Sequence, residues 1–330
     1  MIFFITVLRA LAACLITNSH YTGIYPTDLI ANGGLLGDVI FFAVSGYCLI
    51  NVKKTFPVWY GKRIWRVYLP LLIITSVYFL IGAYTFKDND FLWWFVYPTN
   101  YHFVASIILL YIPFYFVGRC EWLKKRIPIL IGVVFAVYLF VYFAFYDREY
   151  YHIDVVREPM IRFIFFESML LGGYFKYNDE KFRNKFKWYE LLIVAILFVG
   201  YFASKLIFSR KSELAPLQIL NQILLFALLF YIFKVFTAID EKLEKLPLMI
   251  KKVIEFIASI TLEIYLVQNV IISAIRPYFG FPLNWLLITS SIVASAFVLH
   301  LSCKYIAKGV EKIIQKIVGA IHKKEEGKAA

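Results

Sequence analysis

Cysteine is scarce in this chain, and its spacing excludes the common cysteine frameworks. The four cysteines, Cys14, Cys48, Cys120 and Cys303, lie inside or beside apolar segments, and none belongs to a CxxC pair. This spacing argues against both a disulfide scaffold and a zinc site. Redox chemistry is therefore not expected, and no metal is expected in the functional site.

The chain also lacks a long hydrophilic stretch, a heptad pattern, a low-complexity region and a convincing internal repeat. No soluble domain is expected, and the missing repeat argues against a carrier built from two inverted halves. The first apolar segment has neither a basic region before it nor a small-x-small cleavage site after it. It is predicted to be a retained membrane span and not a signal peptide.

Apolar residues are abundant instead: 61% of the chain is hydrophobic and 19% is aromatic, with a mean hydropathy of +0.71. Soluble domains contain only about 45–50% apolar residues. We therefore predict an all-α polytopic membrane protein. Ten apolar segments have roughly the 20-residue length of a transmembrane helix, and they lie at 2–21, 34–52, 65–86, 100–118, 127–146, 159–175, 188–208, 215–237, 250–275 and 282–307.

The basic residues predict the orientation of these spans. Of the 35 lysines and arginines, 26 lie in alternate loops and the C-terminal tail, seven lie in the opposite loops, and Arg9 and Arg162 lie inside spans. Short loops rich in Lys and Arg face the cytoplasm. We therefore predict about ten transmembrane helices with both termini cytoplasmic, a transmembrane domain at 1–315 and a basic tail at 316–330. The net charge of +13 then arises mostly from the basic residues that mark the cytoplasmic loops. Because these residues are spread over five segments, a nucleic-acid partner is not expected.

Two ionisable residues stand in the first span, LRALAACLITNSH at 8–20. Arg9 and His20 are eleven positions apart, which places them within about 20° of one helical face and roughly 16 Å apart along the axis. An ionisable group at membrane depth costs about 2.5–3.5 kcal/mol, so each marks a functional site by default. Alternatively, Arg9 extends to the cytoplasmic interface and His20, beside Tyr21, belongs to the interfacial belt.

Two further motifs follow within the first 70 residues. In GDVIFFAVSGY at 37–47, Asp38 opens the second span, and the small residues Ser45 and Gly46 favour close helix packing. In KRIWRVYLP at 62–70, Arg63 and Arg66 stand one helical turn apart at the cytoplasmic end of a span. Their planar guanidinium groups suit phosphate oxygens, although ordinary positive-inside anchors have the same position.

The three motifs in this order resemble the integral-membrane acyltransferase family 3. The resemblance implies a ten-helix plasma-membrane O-acetyltransferase that moves an acyl group, usually acetyl, from cytoplasmic acyl-CoA to a hydroxyl of an outer glycan or glycolipid. Acetyl-CoA is then the donor, and membrane lipid and envelope-polysaccharide assembly proteins are further partners. Two alternatives stay open: a proton-coupled transporter or lipid-carrier flippase of polysaccharide assembly, and a non-catalytic scaffold of the same machinery.

The resemblance also implies residue roles. His20 acts as general base toward the acceptor hydroxyl or carries the acyl group itself, and Asp38 either orients His20 or caps the second helix. Arg63 and Arg66 bind the CoA phosphates at the cytoplasmic end. The implied catalytic set is His20, Arg9 and Asp38. The complete donor-binding set is Arg9, Ser45, Arg63 and Arg66.

Later segments supply weaker candidates. TLEIYLVQ at 261–268 resembles a late family segment that often has serine, tyrosine and histidine, but Thr261 and Gln268 stand here, so the role of that histidine is not transferred. His300 is expected to make an interior hydrogen bond. Arg162 and Glu167 lie about 140° apart on one helix and are not expected to pair. The acceptor-binding candidates are His102, Glu167, Glu263 and Tyr265; the alternatives are an interfacial position for His102 and structural pairs for the carboxylates.

Overall fold

The computed structural model describes residues 2–87, 89–98, 101–156 and 159–329, with side chains up to Lys312. The predicted basic tail at 316–330 lies outside the described side chains. Within the described ranges all regular elements are helical, which confirms the all-α prediction.

The helices follow the predicted apolar segments, and each of the ten segments overlaps one helix or a helix pair. A π-helical turn covers Leu92–Val96 and a 3₁₀ segment covers Ser212–Leu217. The α-helices are α1 (Phe3–Ser19), α2 (Gly34–Leu49), α3 (Phe56–Leu80), α4 (His102–Arg119), α5 (Glu121–Lys125), α6 (Ile127–Phe145), α7 (Ile161–Tyr177), α8 (Asp179–Phe182), α9 (Trp188–Arg210), α10 (Ile219–Ala238), α11 (Asp240–Glu244), α12 (Leu248–Ser259), α13 (Thr261–Ile275) and α14 (Leu283–Ala329).

Among the described residues, six helices are long and apolar enough to cross a membrane: α3, α4, α6, α9, α10 and α14. The pair α12 and α13, bent by 70° at its break, makes a seventh if it is counted as one span. Helices α1 and α2 have only 17 and 16 residues, about 25 Å against a hydrocarbon core of about 30 Å. The count of ten spans and the cytoplasmic position of both termini therefore stay predictions.

The short helices α1, α2 and α7 form the centre of the molecule, and most of their residues are buried. Helix α2 packs closely along α7, and two glycines permit this approach. A side chain at Gly46 would collide with the carbonyl of Met169, and one at Gly172 would collide with the carbonyl of Ala43. The predicted packing role of Gly46 is thus confirmed, because small residues let helix backbones approach in a membrane.

Long apolar helices surround this centre. Helices α6 and α9 expose most of their apolar side chains, including Val133, Phe140, Leu192 and Ile196. These exposed side chains suit contact with lipid tails, since a helix satisfies its backbone hydrogen bonds internally and can face hydrocarbon.

Arg183 joins the ends of several helices through a hydrogen-bonded network. Its Nε and Nη2 atoms donate to Asp179 at 2.7 and 3.0 Å, and its Nη1 donates to Asp240 Oδ2 at 2.6 Å. Asp240 Oδ1 in turn accepts the backbone N–H of Phe4 at 2.8 Å, one of the donors that the first turn of α1 leaves unpaired. The Tyr47 hydroxyl donates to Asp179 at 2.8 Å. The sequence analysis missed this network, whose members are up to 236 positions apart.

Candidate functional site

A cavity of about 630 Å³ opens among α1, α2, α3, α4, α12, α13 and α14. Its volume lies in the range of about 300–1,000 Å³ that is typical of ligand pockets. The single carboxylate in its described lining is Glu263, whereas five basic side chains line it: Arg9, Lys62, Arg63, Arg66 and Lys304. A cleft lined by charge of one sign concentrates ligands of the opposite sign, so this cavity favours an anion.

Helix α3 supplies the basic wall of the cavity. The Arg63 guanidinium lies over the Trp59 ring, 4.6 Å from its centroid, and Nη1 donates to the Trp59 carbonyl at 3.2 Å. Among the described residues, none pairs with the buried Nε of Arg63. Pro70, inside the same helix, has no N–H to donate to the carbonyl of Arg66. This wall therefore has an unpaired guanidinium N–H on Arg63 and a backbone carbonyl on Arg66 to which Pro70 donates no hydrogen bond.

Arg9 brings a further cation to the cavity from α1. It is half-buried and shares the cavity with Arg66, Cys48 and Glu263. In the part of the chain that the structure describes, no side chain or carbonyl accepts a hydrogen bond from its guanidinium. Arginine has five N–H donors and no acceptor. An oxygen-rich ligand in the cavity would therefore be stabilised by Arg9.

Glu263 and His300 form the acid–base pair of the cavity. His300 Nδ1 lies 2.9 Å from Glu263 Oε1, joining α14 to α13. This contact confirms the interior hydrogen bond expected for His300. The sequence analysis missed that His300 lines the cavity; a lone histidine in an apolar segment was the only signal.

The structure brings together one part of the predicted site and leaves another part outside. The cavity lining includes the whole predicted donor-binding set and one acceptor candidate: Arg9, Ser45, Arg63, Arg66 and Glu263. The other predicted residues do not line it: His20, Asp38, Glu167, His102 and Tyr265. The predicted donor-binding residues therefore lie together in one cavity, whereas most of the predicted acceptor-binding residues lie elsewhere.

His20 caps the C-terminal end of α1 and is exposed. Because α1 is one continuous helix, His20 stands about 16 Å along the axis from Arg9. The loop that follows is fixed in place: Asn18 Nδ2 donates to the carbonyls of Ile30 and Asn32 at 2.7 and 3.0 Å. His20 thus lies on an ordered surface at the far end of α1 from the Arg183 network.

Asp38 has neither of the two roles that were expected for it. It is the fifth residue of α2, whose N-cap is Gly33, so the capping prediction is wrong: the helix begins at Gly34, four residues earlier. No hydrogen bond joins Asp38 to His20 among the described residues. The Asp38 side chain is buried, and its Oδ1 has no hydrogen-bond partner among the described residues.

The remaining candidates lie on other helix interfaces. Glu167 is buried in α7, and its Oε1 has no hydrogen-bond partner in the described part of the chain. Arg162 donates from Nη2 to the Tyr97 hydroxyl at 2.9 Å, so the expectation that it does not pair with Glu167 is confirmed. The Tyr265 hydroxyl accepts the backbone N–H of Phe103 at 3.3 Å, in the first turn of α4 that begins at His102.

Comparison with known proteins gives one result. A family model described as an acyltransferase domain matches residues 2–303. No curated protein and no solved structure gives a significant match to the chain. The matched range contains the cavity lining except for Lys304 and Ala307.

Proposed function

Because this chain belongs to acyltransferase family 3, we propose that it is a plasma-membrane O-acetyltransferase that uses cytoplasmic acetyl-CoA. The acceptor is a hydroxyl group of a glycan or glycolipid on the other side of the membrane. The observation that carries the proposal is the cavity: five basic side chains surround it, and no described residue accepts a hydrogen bond from Arg9.

The donor is bound at the basic wall. Arg63 and Arg66 take the phosphates of CoA, since charge-assisted hydrogen bonds from guanidinium to phosphate are among the strongest in proteins. The lining of α3 extends from Lys62 to Pro70, eight residues or about 12 Å along the helix. A donor held by its phosphates at the Lys62 end thus extends its acyl arm toward Arg9 and Ser45.

The acceptor hydroxyl is activated at the other end of α1. A neutral imidazole suits a general base at pH 7, and His20 is the exposed imidazole on that surface. The cavity ends before His20, so the acyl end of the donor must advance along the Arg9 face of α1 for the transfer. Partners of polysaccharide assembly would present the acceptor at the ordered loop after His20.

The decisive experiment measures CoA binding to the purified full-length protein by calorimetry. An Arg63→Ala/Arg66→Ala variant loses two charged contacts worth about 1.5–3 kcal/mol each, so its CoA affinity should fall at least about a hundredfold. Arg126→Ala is the matched control, because Arg126 also lies over a tryptophan, 4.4 Å from the Trp122 ring centroid, but outside the cavity.

A wild-type protein that binds no CoA, or a double variant that binds it unchanged, contradicts the proposal. The transfer itself is tested by mass analysis of surface glycans in cells that carry wild-type protein or His20→Ala. The acetyl increment should disappear with the variant. Glycan export that depends on the protein but not on CoA would support the transporter alternative instead.

A further inference from the structure

Trp65 stands beside the arginines that are proposed to bind phosphate, and the proposed function assigns it no role. It follows Arg63 by two positions and precedes Arg66 by one, and all three residues line the cavity. Trp65 is 46% exposed, although most of its indole surface is apolar. Aromatic side chains in the lining of a pocket commonly contact the ligand. The exposed indole is therefore a candidate for such a contact.

The other aromatic residues of the described lining already have ring partners. Phe41 and Phe103 pack edge to face, with their ring centroids 4.9 Å apart. Tyr111 packs in the same way on Trp59, at 5.8 Å. In the part of the chain that the structure describes, neither an aromatic ring nor a cation stacks on the Trp65 indole. Trp65 therefore contributes an aromatic face that is still available to a ligand.

Helical spacing places this ring at the basic end of the cavity. At 100° per residue, Trp65 and Arg63 lie about 160° apart around α3, and Arg66 lies between them. Along the helix axis, Trp65 is about 5 Å from Lys62 and about 8 Å from Pro70, which mark the two ends of the α3 lining. The indole is therefore within about one turn of the cations that are assigned to the phosphates.

The chemical parts of acyl-CoA match this arrangement. The diphosphate of CoA separates the pantetheine arm, which carries the acyl group, from the adenosine, which carries the adenine base and a further phosphate. With the arm extended toward Arg9 and Ser45, the adenosine lies on the other side of the diphosphate, at the basic end of the cavity. Every nucleic-acid base has a flat π face, and this face stacks on aromatic side chains.

We propose that the Trp65 indole stacks on the adenine base of acyl-CoA and thereby selects this donor. This inference rests on the proposed function. Lys62 precedes Trp65 by three positions and is its neighbour on the helix surface, so a cation for the ribose phosphate accompanies the ring. The stack favours a donor that carries a nucleotide over an acyl group on phosphopantetheine alone, which has no base for Trp65 to contact.

The test compares the binding of CoA and of phosphopantetheine, which lacks the adenosine, to the purified full-length protein by calorimetry. Trp65→Ala should lower CoA affinity by about 5- to 150-fold, the usual contribution of one base–aromatic stack, and leave phosphopantetheine affinity unchanged. Trp65→Phe keeps an aromatic face and should retain most of the CoA affinity. Trp122→Ala is the matched control, because Trp122 is also exposed, at 58%, but does not line the cavity.

Tryptophan fluorescence gives a second readout, which a merely structural role of Trp65 would not change. Saturating CoA should quench part of the wild-type emission, and phosphopantetheine should not. Trp65→Phe should lose this difference although it still binds CoA. Unchanged CoA affinity in Trp65→Ala, or an equal loss of affinity for both ligands, overturns the inference. Failure of the wild type to bind CoA would instead remove the proposed function itself.

Discussion

Arg183 and Arg9 show two opposite uses of the same side chain. Arg183 donates to two aspartates at 2.6 to 3.0 Å, and one of these aspartates also holds the first turn of α1. Arg9 lines a cavity, and no described residue accepts a hydrogen bond from it. The first arginine joins helices together, whereas the second leaves its donors available. In this protein, the arginine whose donors are paired holds helices together, whereas the arginine whose donors are unpaired is expected to bind a ligand.

Removal of the paired arginine should have the largest effect on stability. Arg183→Ala leaves Asp240, which is nearly fully buried, without its cation, and breaking a buried pair costs about 3–5 kcal/mol of unfolding free energy. Equilibrium unfolding in mixed micelles measures the loss. Lys181→Ala, an exposed neighbour on α8, should change little. Equal stability of the two variants would show that the network does not hold the helix ends.

Removal of the unpaired arginine should give the reverse pattern. Arg9→Gln should leave the unfolding free energy unchanged or raised, since it removes a desolvated cation without breaking a protein contact. Its CoA affinity should fall by about ten- to hundredfold, as expected for the loss of one charged hydrogen bond. Calorimetry and unfolding are measured on the same preparation.

Arg162→Gln is the control for this second prediction. Arg162 also lies in a predicted span, but it donates to the Tyr97 hydroxyl at 2.9 Å, so its removal should lower stability and leave CoA affinity intact. If Arg9→Gln lowered the unfolding free energy as much as Arg183→Ala does, both arginines would stabilise the fold and the contrast between them would be wrong.

The smallest expected effect is the pH dependence of the Arg183 network. Burial alone raises the pKa of the Asp179 carboxyl, but hydrogen bonds from Arg183 and Tyr47 together with the Arg183 charge outweigh burial, and the net pKa is lowered. The stability that the carboxylate contributes is complete above the unfolded pKa of about 3.9, and it is lost as the pH falls through the lower folded value. The effect should be modest, because solvent reaches part of this pair.

Thermal unfolding between neutral pH and about pH 3 measures this dependence. Asp179→Asn should be less stable at neutral pH and show a flatter decline on acidification than the wild type. Glu180→Gln, at the adjacent exposed position, should follow the wild-type curve. Parallel curves for Asp179→Asn and the wild type would show that another group causes the acid sensitivity.

Some parts of the site could be predicted because they depend on local periodicity. Arg63 and Arg66 are one turn apart on a single helix. Helical spacing therefore predicts that both lie on one face, and this face of α3 lines the cavity. The motif that contains Ser45 and Gly46 also behaves as helical spacing predicts, with Gly46 against α7 and Ser45 in the cavity lining.

Other parts depend on contacts between distant segments. Glu263 and His300 are 37 positions apart, and Arg183 and Asp240 are 57 apart. Neither pair lies within one helix, so helical spacing predicts neither contact. Each contact can be recognised only when the packing of its two segments is known. The capping role predicted for Asp38 is wrong although the predicted segment at 34–52 begins where α2 begins, because the N-cap is Gly33 and Asp38 lies inside the helix.

The sequence by itself determined the helical membrane class and the motifs shared with acyltransferase family 3, because hydropathy and helical period are properties of short segments. Only the tertiary structure decided which cations are paired and which face a cavity. The choice between these two states depends on the acceptor that a neighbouring helix brings to the guanidinium: Asp240 meets Arg183, while Arg9 meets open space beside Glu263 and His300.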